Sequence, residues 1–252
     1  MPAPRFFCPA PLPSHTEIAL PEAVAHHAVR VLRLRDGADI VLFDGQGGEV
    51  PATLVLGKDA PARARLGERS PREAELAGRI VLVQGLPAGD KMDWIVEKSV
   101  ELGAAAIVPV AARRSVSQLA GPRREKRLAR WRSIVQAACE QCGRNRLPSV
   151  GDVVTLEQWL ENNARSPSPL PVFLCHPEAS EPLAPALRAL RPDALALLVG
   201  PEGGWSDEEL AAAARYGACP LRHGSRILRT ETAGLALIAA VTAILGWEDG
   251  GR

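Results

Sequence analysis

The chain has 252 residues, 46% of them hydrophobic, and carries 30 Lys and Arg against 29 Asp and Glu. That length and apolar share allow one large or two modest domains with real cores, and a net charge of +1 does not by itself announce a nucleic-acid binder. Five cysteines (Cys8, Cys139, Cys142, Cys175, Cys219) form no even framework, the N-terminal MPAPRFFCPAPLP has no long apolar region, and no apolar run reaches membrane-spanning length. These features set aside a secreted disulfide scaffold and a membrane protein, and a cytoplasmic chain is expected.

Residues up to about 70 read as a small β-rich domain. Pro21 stands at a good first helical position, and Val24, Ala28, Val31 and Leu32 make an apolar stripe at helical spacing with Arg30, Arg33 and Arg35 beside it. The spacing predicts one helix with a basic flank. Strands are expected at Ile40–Phe43, Glu49–Leu56 and Ala62–Leu66, divided by Asp44-Gly45 and by further glycine and proline turns. The arginines suit either a solvated helix face or phosphate contacts. His26 and His27, adjacent on a helix, point apart and read as packing rather than as a metal site.

The polar stretch Ser70 to Ala77, SPREAELA, marks a boundary that divides the chain into residues 1–72 and 73–252. Beyond it the rhythm alternates. Ile80–Val83 reads as a strand, Gly85–Asp90 as a loop, Lys91–Leu102 as a helix with Met92, Ile95, Val96, Ser99 and Leu102 inward, and Ala106–Val110 as the next strand. A basic loop, Arg113–Glu125, leads to a long helix over Lys126–Cys142 with Leu128, Trp131, Val135 and Ala138 on one side. Strands follow at Val172–Cys175 and Leu195–Val199, with a helix over Pro182–Leu190 between them. The expected fold is α/β, a mostly parallel sheet covered by helices on both faces, behind the small β domain. Cys139-x-x-Cys142 lacks the second ligand pair of a structural zinc and closes the far end of a helix, where a redox thiolate is not favoured, so no metal is expected.

The most informative stretch is LALLVGPEGGWSDEEL followed by RHGSRILRTETAGLALIAAV, Leu195 to Val241. An apolar strand breaks at Gly200-Pro201-Glu202-Gly203-Gly204, and Ser206 with Glu209 has capping-box spacing, so a helix begins at Asp207 and ends by Gly217. Glycines in such a loop let a flat polar ligand lie against backbone amides. The design repeats: Gly224 and Ser225 turn the chain, Ile227 and Leu228 are apolar, and Thr230 is expected to cap an alanine-rich helix over Ala233–Leu245. There is no G-x-G-x-x-G and no P-loop Lys-Ser/Thr, so a dinucleotide or triphosphate site is not expected.

These two segments resemble the SPOUT methyltransferases, and specifically the RsmE family, which methylates N3 of a uridine in small-subunit ribosomal RNA. KMDWIVEKSVELG, Arg114-Ser115 and Glu140-Gln141-Cys142-Gly143-Arg144 resemble the same family. Arg5-Phe6-Phe7, His26-His27, Val31-Leu32-Arg33 and Asp36-Gly37 resemble its N-terminal PUA-like barrel. The resemblance implies a PUA-like RNA-binding domain over 1–72 and a SPOUT domain with a deep trefoil knot over 73–252. It implies S-adenosylmethionine held by Leu198, Val199, Gly200, Pro201, Glu202, Gly203, Gly204, His223, Gly224, Ser225, Ile227, Leu228, Arg229, Thr230 and Ala233. It also implies 16S ribosomal RNA or the small subunit as partner, contacts from Arg5, Arg30, Arg33, Lys91, Lys98, Arg114 and Arg144, and a homodimer. One departure is His223, where the family pattern usually has an aliphatic residue before the glycine.

N3 of uracil bears a proton and is a poor nucleophile until it leaves, so the reaction needs a group that accepts the proton or stabilises the anion. Arg229 suits charge on O2 or O4. Glu202 suits proton acceptance or base orientation, and equally a loop-structuring role through backbone N–H bonds. Lys98 and Glu101 also fit an ordinary solvated pair. The alternative to an enzyme is an RNA-binding assembly factor without turnover.

Overall fold

The computed structural model describes residues 3–9, 11–58, 60–116 and 119–248. The described residues form two compact units, one from those up to Glu75 with Cys139–Leu147, the other from those in Leu76–Ala138 and from Pro148 onward.

In the first unit β1 (Arg5–Phe7), β2 (Glu17–Ala19), β3 (Asp39–Phe43), β4 (Val50–Val55) and β5 (Arg63–Leu66) form one sheet in the order β1-β3-β4-β5-β2. β1 pairs parallel with β3, and the other pairings are antiparallel. Alternation fixes the register: Ile40 and Leu42 on β3 and Ala52 and Leu54 on β4 point into the core, where each fully buried Leu or Ile side chain contributes about 1.5–3 kcal/mol. Between β2 and β3 runs α1 (Glu22–His26), with Val24 and Ala28 completing that core.

The continuous helix expected to Leu32 is not what forms. After α1 the chain makes a π-turn over His27–Val31, with the Leu32 N–H donating to the His27 carbonyl at 2.9 Å, and Arg33 adopts φ +54°. A π-turn advances each residue less around the axis than an α-turn, so side chains after it leave the stripe. Val31 and Leu32 accordingly stand 57% and 43% exposed.

The second unit holds β6 (Arg79–Gly85), β7 (Ala106–Val110), β8 (Ser149–Val150), β9 (Val172–Cys175), β10 (Ala194–Val199) and β11 (Cys219–Leu221), all parallel in the order β11-β9-β10-β6-β7-β8. Its helices are α2 (Lys91–Glu101), α4 (Leu156–Ala164), α5 (Leu183–Leu190), α6 (Asp207–Arg215) and α7 (Thr230–Leu245), while α3 (Gly121–Cys142) runs from this unit into the first. One sheet face, with Val81, Val83, Leu174, Ala196 and Leu198, packs on Leu156, Trp159 and Leu160 of α4 and on Ala212 and Ala213 of α6. α7 lies against β6 and β10 together with α2 and α5. Its close approach needs Gly234, where a Cβ would stand 3.1 Å from Leu82 Cδ1.

Several boundaries differ from expectation for local reasons. α3 begins at Gly121 rather than Lys126, which shortens the basic loop; Ser117 and Gln118 of that loop lie outside the described residues. Thr230 is the first residue of α7 rather than its cap, because its hydroxyl bonds elsewhere and Arg229, at φ −64° and ψ 150°, takes the N-cap position. β1, β2, β8, β11 and α4 were not anticipated.

Candidate active site

β11, β9, β10 and β6 are neighbours and end at Leu221, Cys175, Val199 and Gly85. In open parallel sheets ligands bind where such carboxyl ends face a crevice. A cleft of about 750 Å3 opens here, lined by Cys175–Glu178, by Val199–Trp205 apart from Gly203, and by Arg222–Thr230, together with Arg114, Asp207, Leu210 and Ala233.

The first loop is compact for stereochemical reasons. Gly204 takes φ +67° and its N–H donates to the Pro201 carbonyl at 2.9 Å, while a Cβ on Gly200 would meet Gly204 Cα at 3.2 Å. The end of β6 presses on the same loop: a Cβ on Gly85 would lie 2.5 Å from Pro201 Cδ and 2.7 Å from its nitrogen. α6 then starts with the expected box, Ser206 Oγ accepting from the Glu209 N–H at 3.2 Å and Glu209 returning a carboxylate to the Ser206 N–H at 2.8 Å. Glu209 is buried and also accepts from the Arg113 N–H at 3.0 Å, which pins the loop after β7 beside the cleft.

The second loop is joined to the first through Thr230. Its Oγ1 donates to the Gly200 carbonyl at 2.6 Å and accepts from Gln84 Nε2 at 2.9 Å. Gln84 is fully buried and donates also to the Gly85 carbonyl at 3.0 Å. A third tie is ionic. Glu202 accepts from Lys91 Nζ at 2.9 Å and from the Ala88 N–H at 3.2 Å, and Lys91 stands 3.3 Å from Glu231 at the start of α7. Partial burial works to raise the Glu202 pKa, but the Lys91 bond and the amides of Glu202 and Ala88 outweigh it and hold the carboxyl below its ordinary value. Lys91 is raised in turn, chiefly by its bond to Glu202.

Of the residues expected to hold a cofactor, Val199, Gly200, Pro201, Glu202, Gly204, His223, Gly224, Ser225, Ile227, Leu228, Arg229, Thr230 and Ala233 line the cleft. Leu198 does not: it is buried in the core beneath the loop. Nor does Gly203, whose Cβ would face Arg114 Cβ at 3.0 Å and the Arg114 carbonyl at 3.1 Å. Residues not anticipated are Gln84 and Gly85, the segment Cys175–Glu178, Trp205, Arg222 and Arg226. Trp205 is buried at the cleft with an indole N–H that has no hydrogen-bond partner among the described residues.

The basic residues expected to meet RNA divide sharply. Arg144 is 3% exposed, its guanidinium held by Glu75 at 2.5 and 2.9 Å, and Arg5 donates to Glu49 and Asn145 at 2.5 Å each. Both therefore build the first unit rather than face solvent. Lys98 is held by Glu97 and Glu101 at 2.7 and 2.6 Å and lies over the Trp94 ring, and Arg114 reaches Asp207 at 3.6 Å. Arg30 and Arg33 are exposed and make no ion pair with any described residue. Cys139 is buried, and burial pushes its thiol up to about 12, far from a reactive thiolate.

A parallel α/β sheet with this loop-built cleft follows a small β domain in the chain, and both parts match models of RNA methyltransferases. The family model described as "RNA methyltransferase domain" matches residues 74–242, and that described as "RNA methyltransferase PUA domain" matches 20–61. Ribosomal RNA small subunit methyltransferase E of Bacillus subtilis is 32% identical over 220 residues, 86% of each chain, and that of Synechocystis is 35% identical over 230 residues, 90% of this chain and 73% of the other. Among solved structures, a ribosomal RNA small subunit methyltransferase E from Neisseria gonorrhoeae bound to S-adenosyl methionine gives a TM-score of 0.87 at 37% identity, covering 96% of this chain and 98% of that one. A Legionella pneumophila methyltransferase in complex with the same cofactor also gives 0.87, at 31% identity over 96% and 98%. The chain belongs to the ribosomal RNA small subunit methyltransferase E family.

Proposed function

We propose that the chain transfers the methyl group of S-adenosylmethionine to N3 of a uridine in 16S ribosomal RNA of the small ribosomal subunit, acting in the cytoplasm as a homodimer. The observation that carries this reading is the cleft between two glycine loops, in a family whose solved members hold S-adenosylmethionine. The residues fit that ligand. The cleft falls in the range of about 300–1,000 Å3 usual for small-molecule sites, it offers backbone at Gly200, Gly204 and Gly224, and the buried Trp205 N–H awaits an acceptor.

When bound, the cofactor supplies an electrophilic methyl group on a sulfonium. The chain's own work is to orient both partners and manage charge. Arg229 is exposed at the cleft with no ion pair to a described residue, so its guanidinium is free to meet negative charge growing on O2 or O4 as N3 loses its proton. Glu202, held ionised by Lys91, is a weak base; it clamps the Ala88 turn to the first loop and orients the site. Base pairing occupies the N3 edge, so the target must be unpaired or turned out.

Residues 1–72 serve as the PUA-like RNA-binding domain, with Arg30, Arg33 and Arg35 meeting phosphates, and 73–252 as the SPOUT domain with the trefoil knot implied by the resemblance. The deciding experiment incubates the protein with methyl-labelled S-adenosylmethionine and small subunits from cells lacking the modification. Label should enter 16S RNA at one uridine and block reverse transcription there, since N3 methylation removes a pairing edge. Background labelling, or label without a block, would overturn the assignment.

A further inference from the structure

The loop after β11 presents an exposed surface at the mouth of the cleft. Its ends are fixed. The Arg222 N–H donates to the Glu181 carbonyl at 2.9 Å and the Arg222 carbonyl accepts from Leu183 at 3.1 Å, while the Arg229 carbonyl accepts from Thr232 and Ala233 at 2.9 Å each. Between these anchors Arg226 and Ile227 form the lip of the cleft, and Ile227 is 84% exposed.

Charge distinguishes this lip from the rest of the cleft. Arg222, Arg226 and Arg229 are exposed and form no ion pair with any described residue. The acids of the lining do not neutralise them: Glu202 is taken by Lys91 and Asp207 by Arg114, which leaves Glu178. An exposed isoleucine alone is unremarkable. One set among unpaired guanidiniums at a cleft mouth is matched by a ligand with both anions and flat apolar faces, which is single-stranded nucleic acid. The first unit repeats the chemistry: Arg30-Val31-Leu32-Arg33 has the same order of side chains as Arg226-Ile227-Leu228-Arg229, and Val31 and Leu32 are exposed as Ile227 is, whereas Leu228 is half-buried.

We propose that the Arg222–Ile227 lip grips the unpaired RNA flanking the target uridine, its arginines on phosphates and Ile227 against a neighbouring base or sugar. The inference rests on the methyltransferase reading above. It adds a substrate contact in the catalytic unit, separate from the arginines of the first unit.

The test compares wild type with Arg222→Ala/Arg226→Ala and, separately, Ile227→Ser, with Arg188→Ala/Arg215→Ala as a control for lost surface charge. Binding of a 16S RNA fragment is measured at several salt concentrations, S-adenosylmethionine by calorimetry, and mass by sedimentation. The double variant should bind RNA about tenfold more weakly, with a salt dependence flatter by roughly 0.7 per lost phosphate contact. Ile227→Ser should weaken RNA two- to fivefold at unchanged slope, and the double variant should keep wild-type cofactor affinity and mass. RNA binding of the double variant equal to the control, its cofactor affinity falling in parallel, or a change of its mass would each overturn the proposal, the last by making the lip a contact between subunits. A wild-type protein that methylates no RNA would instead remove the functional reading itself.

Discussion

Gln84 Nε2 lies 2.9 Å from Thr230 Oγ1, and the same hydroxyl donates to the Gly200 carbonyl at 2.6 Å, so a side chain buried in β6 couples the first turn of α7 to the loop after β10. Replacing Thr230 by valine keeps the shape and removes the hydroxyl. One buried Gln84 N–H then loses its acceptor, which costs about 1–3 kcal/mol. Thr230→Val should lower the melting temperature accordingly and weaken S-adenosylmethionine about tenfold, while Thr230→Ser restores both. A valine variant with wild-type cofactor affinity would show that the two loops are held independently.

Gly85 is the second constraint on that loop. An alanine there places a Cβ 2.5 Å from Pro201 Cδ, closer than real contacts allow, and Pro201 is fixed by its ring and its turn. The loop must shift. Gly85→Ala should therefore reduce cofactor affinity at least tenfold, whereas Gly89→Ala, at φ +67° with open space around it, should cost only backbone strain of about 1–2 kcal/mol. Calorimetry and thermal unfolding of the two variants separate these effects.

Much of this was legible in residues 195–245, because a strand, a glycine break and a capping box are local signals that tertiary structure had no reason to override. Gly203 shows the limit. Glycine in a loop signals close approach without saying to what, and here it is the Arg114 backbone rather than the cleft. Gln84 was visible as a polar residue inside an apolar strand, but its partner lies 146 residues away. The α4 cap was readable and missed: Thr155 and Gln158 have capping-box spacing, and both of its bonds form. The π-turn at His27 left no local trace, since a stripe written for α-geometry is the same sequence whether or not a turn widens. Arg144 and Arg5 looked like RNA contacts because sequence gives charge without partners.

The Glu202–Lys91 pair sets a pH window. Glu202 has a folded pKa below its ordinary value, so its contribution is complete above the ordinary carboxylate pKa of about 4.3 and is lost as pH falls through the lowered one. Lys91 is raised, so its contribution is complete below about 10.4 and is lost as pH rises through the higher value. Between these limits the pair is insensitive to pH. Lys91→Met should move the acid loss of cofactor affinity to higher pH, toward the ordinary carboxylate range. An acid limb unmoved in that variant would mean Lys91 does not govern Glu202.

Arg229 should separate chemistry from binding. A guanidinium that meets charge only as it develops contributes to kcat and little to cofactor affinity. Removing one such preorganised donor costs about 10²–10³ in kcat. Arg229→Ala should show that loss with S-adenosylmethionine affinity within about twofold, a ratio chosen to lie well below the catalytic effect. Equal losses in both would make Arg229 a cofactor-binding residue.

The proposed dimer has a specific face. On α7, Gly234, Leu237, Ile238 and Val241 are buried, whereas Ala239 and Ala243 are exposed and Leu235, Ala236, Ala240 and Ile244 are half-buried. The apolar stripe therefore continues around the helix past what its own unit covers, and its small side chains permit close approach of another backbone. α2, which packs on α7, adds Trp94 at 53% exposure with Lys98 over its ring. Exposed tryptophan of this kind is the residue type that anchors interfaces. Ala239→Glu keeps a good helix former, so the fold should persist, but it puts a charge in the middle of the stripe. Sedimentation at micromolar concentration should show wild type as a dimer and Ala239→Glu as a monomer, with Trp94→Ala weakening the dimer and leaving the melting temperature of the monomer unchanged. A wild-type monomer with full activity would reject the dimer, and an Ala239→Glu variant still dimeric would move the interface away from α7.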